Sequence, residues 1–171
     1  MNPRIRRVVT DQEFDAFHQL FVAYELDLPP QLRHGTVPGV AALRTAYSGE
    51  NAAFVAWVDG SASGCVAVMR LDAERALLQR LFVQPDFRGR GLARALVLAA
   101  LERAGDCGYG RVVLDTNKEQ LSAAYALYRS VGFTECEPFA TVTYECPTFM
   151  ALALGQVANP QALSRRSDSN R

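Results

Sequence analysis

Apolar and polar positions follow two rhythms along the chain, and the change between them falls near Pro85. Ile5 to Val9 reads as a short first strand. Thr10 follows as a helix N-cap, with Glu13 completing a capping box. Phe14, Phe17, Phe21 and Tyr24 then recur at helical spacing and predict a core-facing stripe, which Pro29-Pro30 ends. Gln31 to Val37 reads as a loop, and Gly39 to Tyr47 as a second, shorter helix stopped near Gly49. Ala53 to Val58, Cys65 to Leu71 and Leu77 to Val83 read as an antiparallel meander, turned at Asp59-Gly60 and at Asp72 to Arg75.

Past Pro85 helices and strands alternate. Gly91 to Arg103 is a helix through Leu92, Leu96, Ala99 or Ala100, and Arg103. Arg111 to Leu114 is a short buried strand, Glu119 to Val131 a helix capped by Gly132, and Phe149 to Leu154 a last strand. Leu77 to Leu114 predicts a parallel crossover, right-handed by the usual rule. The pattern predicts a single α/β (α+β) domain over residues 1–155 without internal repeats. A polar stretch, residues 156–171, is expected to be a disordered tail.

Composition narrows the function classes. Half of the residues (49%) are apolar, which suits a globular chain of this length. Eighteen basic residues balance 18 acidic ones, which argues against a nucleic-acid binder. Nearly all the basic residues are arginine, Lys118 being the only lysine, which suggests a GC-rich bacterial genome. No apolar run approaches the ~20 residues of a spanning helix. Met1 to Thr10 lacks an apolar signal core, so the expectation is a cytoplasmic protein with no membrane partner. Cys65, Cys107, Cys136 and Cys146 are widely spaced and form no Cys-x-x-Cys pair, which predicts plain thiols and no metal site.

The informative segment is Leu81-Phe82-Val83-Gln84-Pro85-Asp86-Phe87-Arg88-Gly89-Arg90-Gly91-Leu92-Ala93, where a strand ends and a helix opens on small residues between arginines. A helix N-terminus offers unpaired N–H groups and partial positive charge, and glycine lets a ligand approach the backbone. Together these suit a pyrophosphate. No Gly-Lys-Ser/Thr follows, so the segment is not a P-loop. A dinucleotide fingerprint remains a competitor: Gly89 and Gly91 fit, and Asp115 lies where a ribose-binding acid belongs. Against it, Arg94 replaces the third glycine, and Gln84 to Phe87 lengthen a turn that is normally tight. A plain glycine-bearing turn with solvated arginines is the other alternative.

The same residues resemble motif A of the GNAT N-acetyltransferase superfamily, Gln/Arg-x-x-Gly-x-Gly/Ala, here Arg88-x-x-Gly91-x-Ala93. Ala124-Tyr125-Ala126-Leu127-Tyr128-Arg129-Ser130-Val131-Gly132-Phe133 resembles that family's motif B, in the family's order and separation. The resemblance covers roughly Ile5 to Leu154. It implies a mixed, mostly antiparallel sheet flanked by helices, acetyl-CoA as co-substrate and an amine acceptor, with a homodimer as a candidate assembly. By the resemblance, backbone groups of Arg88, Gly89, Arg90, Gly91, Leu92 and Ala93 would wrap the coenzyme A pyrophosphate. The strand Leu81, Phe82 and Val83 would carry the pantetheine arm and acyl carbonyl through backbone groups of Leu81 and Val83. Tyr128 would give a proton to the departing thiolate, as a phenol with an ordinary pKa near ~10 is able to do. Tyr125 is expected to pack. Asn117 would touch the cofactor or cap the following helix.

Two positions depart from the family's pattern. Leu77 stands where many relatives carry a glutamate general base, and Leu121 where many carry an asparagine. Candidate replacements for the base are Glu25, His34, Asp72, Glu74 and Glu145. The missing glutamate also leaves room for a non-catalytic acyl-CoA-binding or sensing module on the same fold. By the resemblance, the acceptor side is formed by the first helix, Leu28 to Pro38 and the second helix, with Phe14, Phe17 and Phe21 expected in the core.

Overall fold

The predicted capping box forms. Thr10 Oγ1 accepts the Glu13 N–H at 3.2 Å, and Glu13 Oε2 accepts the Thr10 and Val9 amides at 2.9 and 2.8 Å. The Thr10 amide and its neighbours hold the Glu13 carboxyl below the usual carboxylate range, against the opposing effect of burial. From this cap, in a computed structural model that describes residues 2–156, α1 runs over Asp11–Asp27. The residues beyond Gln156, where most of the expected tail falls, lie outside the described residues.

The first strand, β1 (Pro3–Arg7), stops two residues earlier than expected, because the Val9 amide goes to Glu13 and not to a neighbouring strand. A short 3₁₀ turn, Pro30–Leu32, and α2 (Val40–Ala46) follow. β2 (Ala52–Val58), β3 (Ser61–Arg70) and β4 (Arg75–Val83) complete an antiparallel meander with β1. Asp59 and Gly60 both take positive φ (49° and 82°), as a tight hairpin turn between twisted strands requires.

α3 (Leu92–Asp106) then leads to β5 (Arg111–Thr116), which runs parallel to β4. α4 covers Ser122–Val131, shorter than expected. Asn117 Oδ1 accepts the amides of Glu119 and Gln120 and holds these residues in a turn before the helix. β7 (Thr148–Ala153) pairs antiparallel with β5, and a two-residue β6 (Thr134–Glu135) pairs with β7. The sheet order is β1-β2-β3-β4-β5-β7-β6.

Each face of the sheet buries a core. On one face Phe14, Phe17 and Phe21 of α1 and Leu43 of α2 pack on Val55, Cys65 and Phe82, with Phe17 edge-on to Tyr47 at 5.4 Å. On the other, Leu92, Leu96 and Val97 of α3 and Tyr128 of α4 pack on Val66, Leu78, Val112 and Met150. The four cysteines are free thiols. Among the described residues no helix is long and apolar enough to cross a membrane.

Candidate active site

The site begins with a defect in the sheet. β4 pairs with β5 only from Arg75↔Arg111 to Leu77↔Val113, and beyond that point the two strands diverge. On its other edge Cys65 faces Phe82 while Ala67 faces Gln79, so Val66 alone opposes Arg80 and Leu81. This is a β-bulge, with Arg80 at a positive φ of 59°. The bulge turns the end of β4 away from β5 and opens a cleft of about 830 Å³ between them. Gln84 donates its N–H across to Ser63 at 2.8 Å. By alternation Phe82 also faces β3, and the main-chain groups of Leu81 and Val83 face the cleft.

Gly64 keeps β3 close to this strand. A Cβ there would stand 2.7 Å from the Phe82 carbonyl oxygen and 3.2 Å from Leu96 and Val83 side chains. Gly64→Ala is expected to cost ~1–3 kcal/mol of stability by over-packing, read as a lower denaturant midpoint.

The turn after β4 shapes one wall. Pro85–Phe87 forms a 3₁₀ turn, and Gly89 and Gly91 take φ of 76° and 81°. Gly91 caps α3 without a side-chain hydrogen bond. The amides of Leu92, Ala93 and Arg94 make no main-chain bond to a described residue, and nothing stands within 4 Å of a Cβ built on Gly89 or Gly91. Open backbone and unpaired donors at a helix start fit a phosphate-bearing ligand. The Arg88 side chain is already paired within the protein. Its Nε donates to the Val83 carbonyl at 2.9 Å and its Nη2 pairs with Asp27 at 3.0 Å, tying loop, strand and α1 together.

The opposite wall is α4 and its N-cap Leu121, with Ala124, Leu127 and Tyr128. Arg94 bonds Ser130 at 2.6 Å and so fixes α3 to α4. Tyr128 is buried, with its ring edge-on to Phe133 at 5.8 Å. Burial pushes its pKa well above the ordinary phenol value, and the neighbouring Tyr24 and Asp115 add to the shift. Tyr144 reaches Asp115 Oδ2 at 2.8 Å and the Thr116 carbonyl at 3.2 Å. Burial pushes Tyr24 up to about 12, while the Arg80 guanidinium beside it pulls the other way.

The floor on the α1 side holds a histidine–carboxylate pair. Buried Glu25 accepts the His34 main-chain N–H at 2.9 Å and meets His34 Nδ1 at 2.7 Å. A carboxylate at Nδ1 favours the tautomer that leaves Nε2 as the basic nitrogen. The His34 ring stacks beside Tyr24 at 6.2 Å and lines the cleft.

Of the residues singled out in the sequence, Leu81, Phe82, Val83, Arg88, Gly89, Gly91, Leu92, Ala93 and Tyr128 line this one cleft. Arg90 and Asn117 do not line it, and the Asn117 oxygen is occupied by its own turn. Tyr125 bonds Glu135 at 3.1 Å, outside the cleft. Among the candidate bases His34 lines the cleft with Glu25 behind it, whereas Asp72 is held by Arg75, and neither Glu74 nor Glu145 lines it. Arg80, Asp115, Tyr24 and Tyr144 also line the cleft; in the sequence Asp115 stood out only as a candidate ribose-binding acid and Tyr24 only as part of the α1 stripe. The dinucleotide reading fails on topology: β4 and β5 are the sheet's single parallel pair among the described strands, where that fold needs a mostly parallel sheet.

Comparison with known proteins agrees with this geometry. N-acetyltransferase 8 of Homo sapiens is 49% identical over 63 residues, which cover 37% of this chain and 27% of that protein. The uncharacterized N-acetyltransferase YsnE of Bacillus subtilis is 31% identical over 86 residues, 50% of this chain and 57% of that protein. The chain therefore spans less than two thirds of the length of these relatives. Among solved structures, yncA from Salmonella typhimurium with its cofactor acetyl-CoA superposes with a TM-score of 0.74 at 20% identity, covering 92% of this chain and 97% of that one. A phosphinothricin acetyltransferase from Sinorhizobium meliloti in complex with AcCoA superposes with a TM-score of 0.73 at 18% identity, covering 92% and 91%. The profile of the Acetyltransferase (GNAT) family matches residues 13–133, and the chain belongs to that family.

Proposed function

We propose that the protein is an N-acetyltransferase that uses acetyl-CoA and acetylates an amine by direct attack on the thioester. The observation that carries this reading is a single cleft holding both the glycine-capped start of α3 and the buried Tyr128 hydroxyl. The pyrophosphate belongs on the Leu92, Ala93 and Arg94 amides, where donors are unpaired and the approach over Gly89 and Gly91 is open. The pantetheine arm belongs between the diverging β4 and β5, against the main chain of Leu81 and Val83. A main-chain N–H there meets the negative charge that builds on the acetyl oxygen.

The amine nitrogen bonds to the acetyl carbon as the carbon–sulfur bond breaks. His34 Nε2 takes the proton the amine loses, its imidazole held by Glu25, which supplies the base that Leu77 lacks. Tyr128 gives its proton to the leaving sulfur; solvent then reprotonates Tyr128 and takes the proton from His34.

Leu77 also favours a second reading, an acyl-CoA-binding module without turnover. A thiol-release assay with acetyl-CoA and a broad panel of primary amines separates the two. Amine-dependent release of free coenzyme A thiol supports transfer, and tight acetyl-CoA binding with no release above the amine-free rate supports the binding module.

A further inference from the structure

Arg80 is one of the cleft residues that the transfer chemistry leaves unused. It interrupts an apolar strand at the bulge, in a backbone conformation that side chains other than glycine rarely take. Its guanidinium packs 4.8 Å over the Phe21 ring and lies within hydrogen-bonding reach of the Tyr24 and Tyr47 hydroxyls, neutral partners that leave its charge unbalanced. Its Nε is buried without a hydrogen-bond partner. Arg80 makes no ion pair with a described carboxylate, unlike Arg88 on Asp27 or Arg75 on Asp72. A half-buried cation with an unsatisfied N–H and no carboxylate is costly to hold, and such costs gather at binding sites.

The missing partner is defined by the guanidinium itself. Its planar fork of donors matches a carboxylate, which takes two parallel N–H bonds. The position also selects the ligand. Arg80 immediately precedes Leu81 on the strand assigned to the thioester, about 3.3 Å along the chain. On the diverging β5, Asp115 brings the opposite charge into the same cleft, and Tyr24 lies within electrostatic reach of both. Opposite charges on two diverging strands suit a ligand that carries both signs a few bonds apart.

We propose that Arg80 is the carboxylate anchor of the acceptor site, and that the acceptor is a small amine bearing a carboxylate, of the amino-acid type. This rests on the transfer reading above and names its substrate class. Asp115 draws in the amine end as its ammonium form. His34 first passes the ammonium proton to solvent, which frees the nitrogen for attack, and then takes the second proton as the amide forms.

The test is calorimetric titration of the coenzyme A-saturated protein with the twenty L-amino acids and their carboxamides, beside thiol release from acetyl-CoA with the same compounds. At least one amino acid is expected to bind ~10² times more tightly than its carboxamide, as expected for a buried charge pair with one partner removed. Arg80→Gln is expected to lose that preference, with acetyl-CoA affinity within about twofold of the parent. Arg80→Lys, which keeps the charge and loses the fork, recovers only part of it, and melting curves confirm that both variants fold. Equal binding of amino acids and carboxamides, or a preference that survives Arg80→Gln, overturns the carboxylate anchor. A preference for aminophosphonates over amino acids overturns the carboxylate assignment. Amino-acid binding through Arg80 without thiol release overturns the transfer reading and leaves the anchor standing.

Discussion

Tyr128→Phe is expected to lower acetyl transfer ~10²–10⁴-fold, the usual contribution of a positioned general acid. The variant keeps the ring against Phe133, so the change falls on one hydroxyl and not on the core. The leaving thiolate is the group that needs this proton, and the cleft holds the hydroxyl on the α4 wall in a water-poor setting. The pH dependence follows from the direction of the shift. Burial raises the Tyr128 pKa, so the protonated, donating form persists as pH rises through the ordinary phenol value of ~10. Any alkaline fall in kcat caused by Tyr128 therefore begins above that value. Steady-state kinetics on a responsive amine reads both effects. Unchanged turnover in Tyr128→Phe removes Tyr128 from the mechanism.

Gly91→Val is expected to weaken acetyl-CoA binding roughly 10–100-fold, a cost of about 1.4–2.8 kcal/mol. Space is not the cause, because a Cβ at this position meets nothing within 4 Å. The cause is the backbone: φ of 81° at the cap of α3 strains a β-branched residue. The variant escapes the strain by turning the cap, and this re-aims the Leu92, Ala93 and Arg94 amides that the pyrophosphate needs. Equilibrium titration reads the loss, and α3 itself should survive because its interior positions are untouched. Wild-type affinity in Gly91→Val would mean that the coenzyme does not use this helix start.

The fold was largely legible in the residues because its strongest signals are local. The Thr10–Glu13 box, the phenylalanine stripe of α1, the Asp59-Gly60 turn and Gly132 after α4 each act within a few residues, and each stands where its chemistry predicts. What stayed hidden depends on distant pairing. β6 has two residues, too few for a period to show, and exists only because β7 runs beside it. The bulge at Arg80 is a mismatch between two strands and leaves no mark in β4 alone. The same holds for the site. The glycine turn and Tyr128 were readable from motif spacing, whereas Tyr144 comes to Asp115 across 29 residues of chain. Arg88 carries the reverse lesson. As a basic residue beside the glycines it suggests a phosphate contact, and in the fold its guanidinium is spent on Val83 and Asp27.

The central claim is that the cleft between β4 and β5 binds acetyl-CoA, and calorimetric titration of the full chain tests it most directly. NAD serves as the control ligand, since the same glycines first suggested a dinucleotide. The account predicts saturable binding of one acetyl-CoA per chain at micromolar concentration and no heat from NAD. Silence with acetyl-CoA and with longer acyl-CoA thioesters would contradict it and leave Arg88 to Ala93 as a turn.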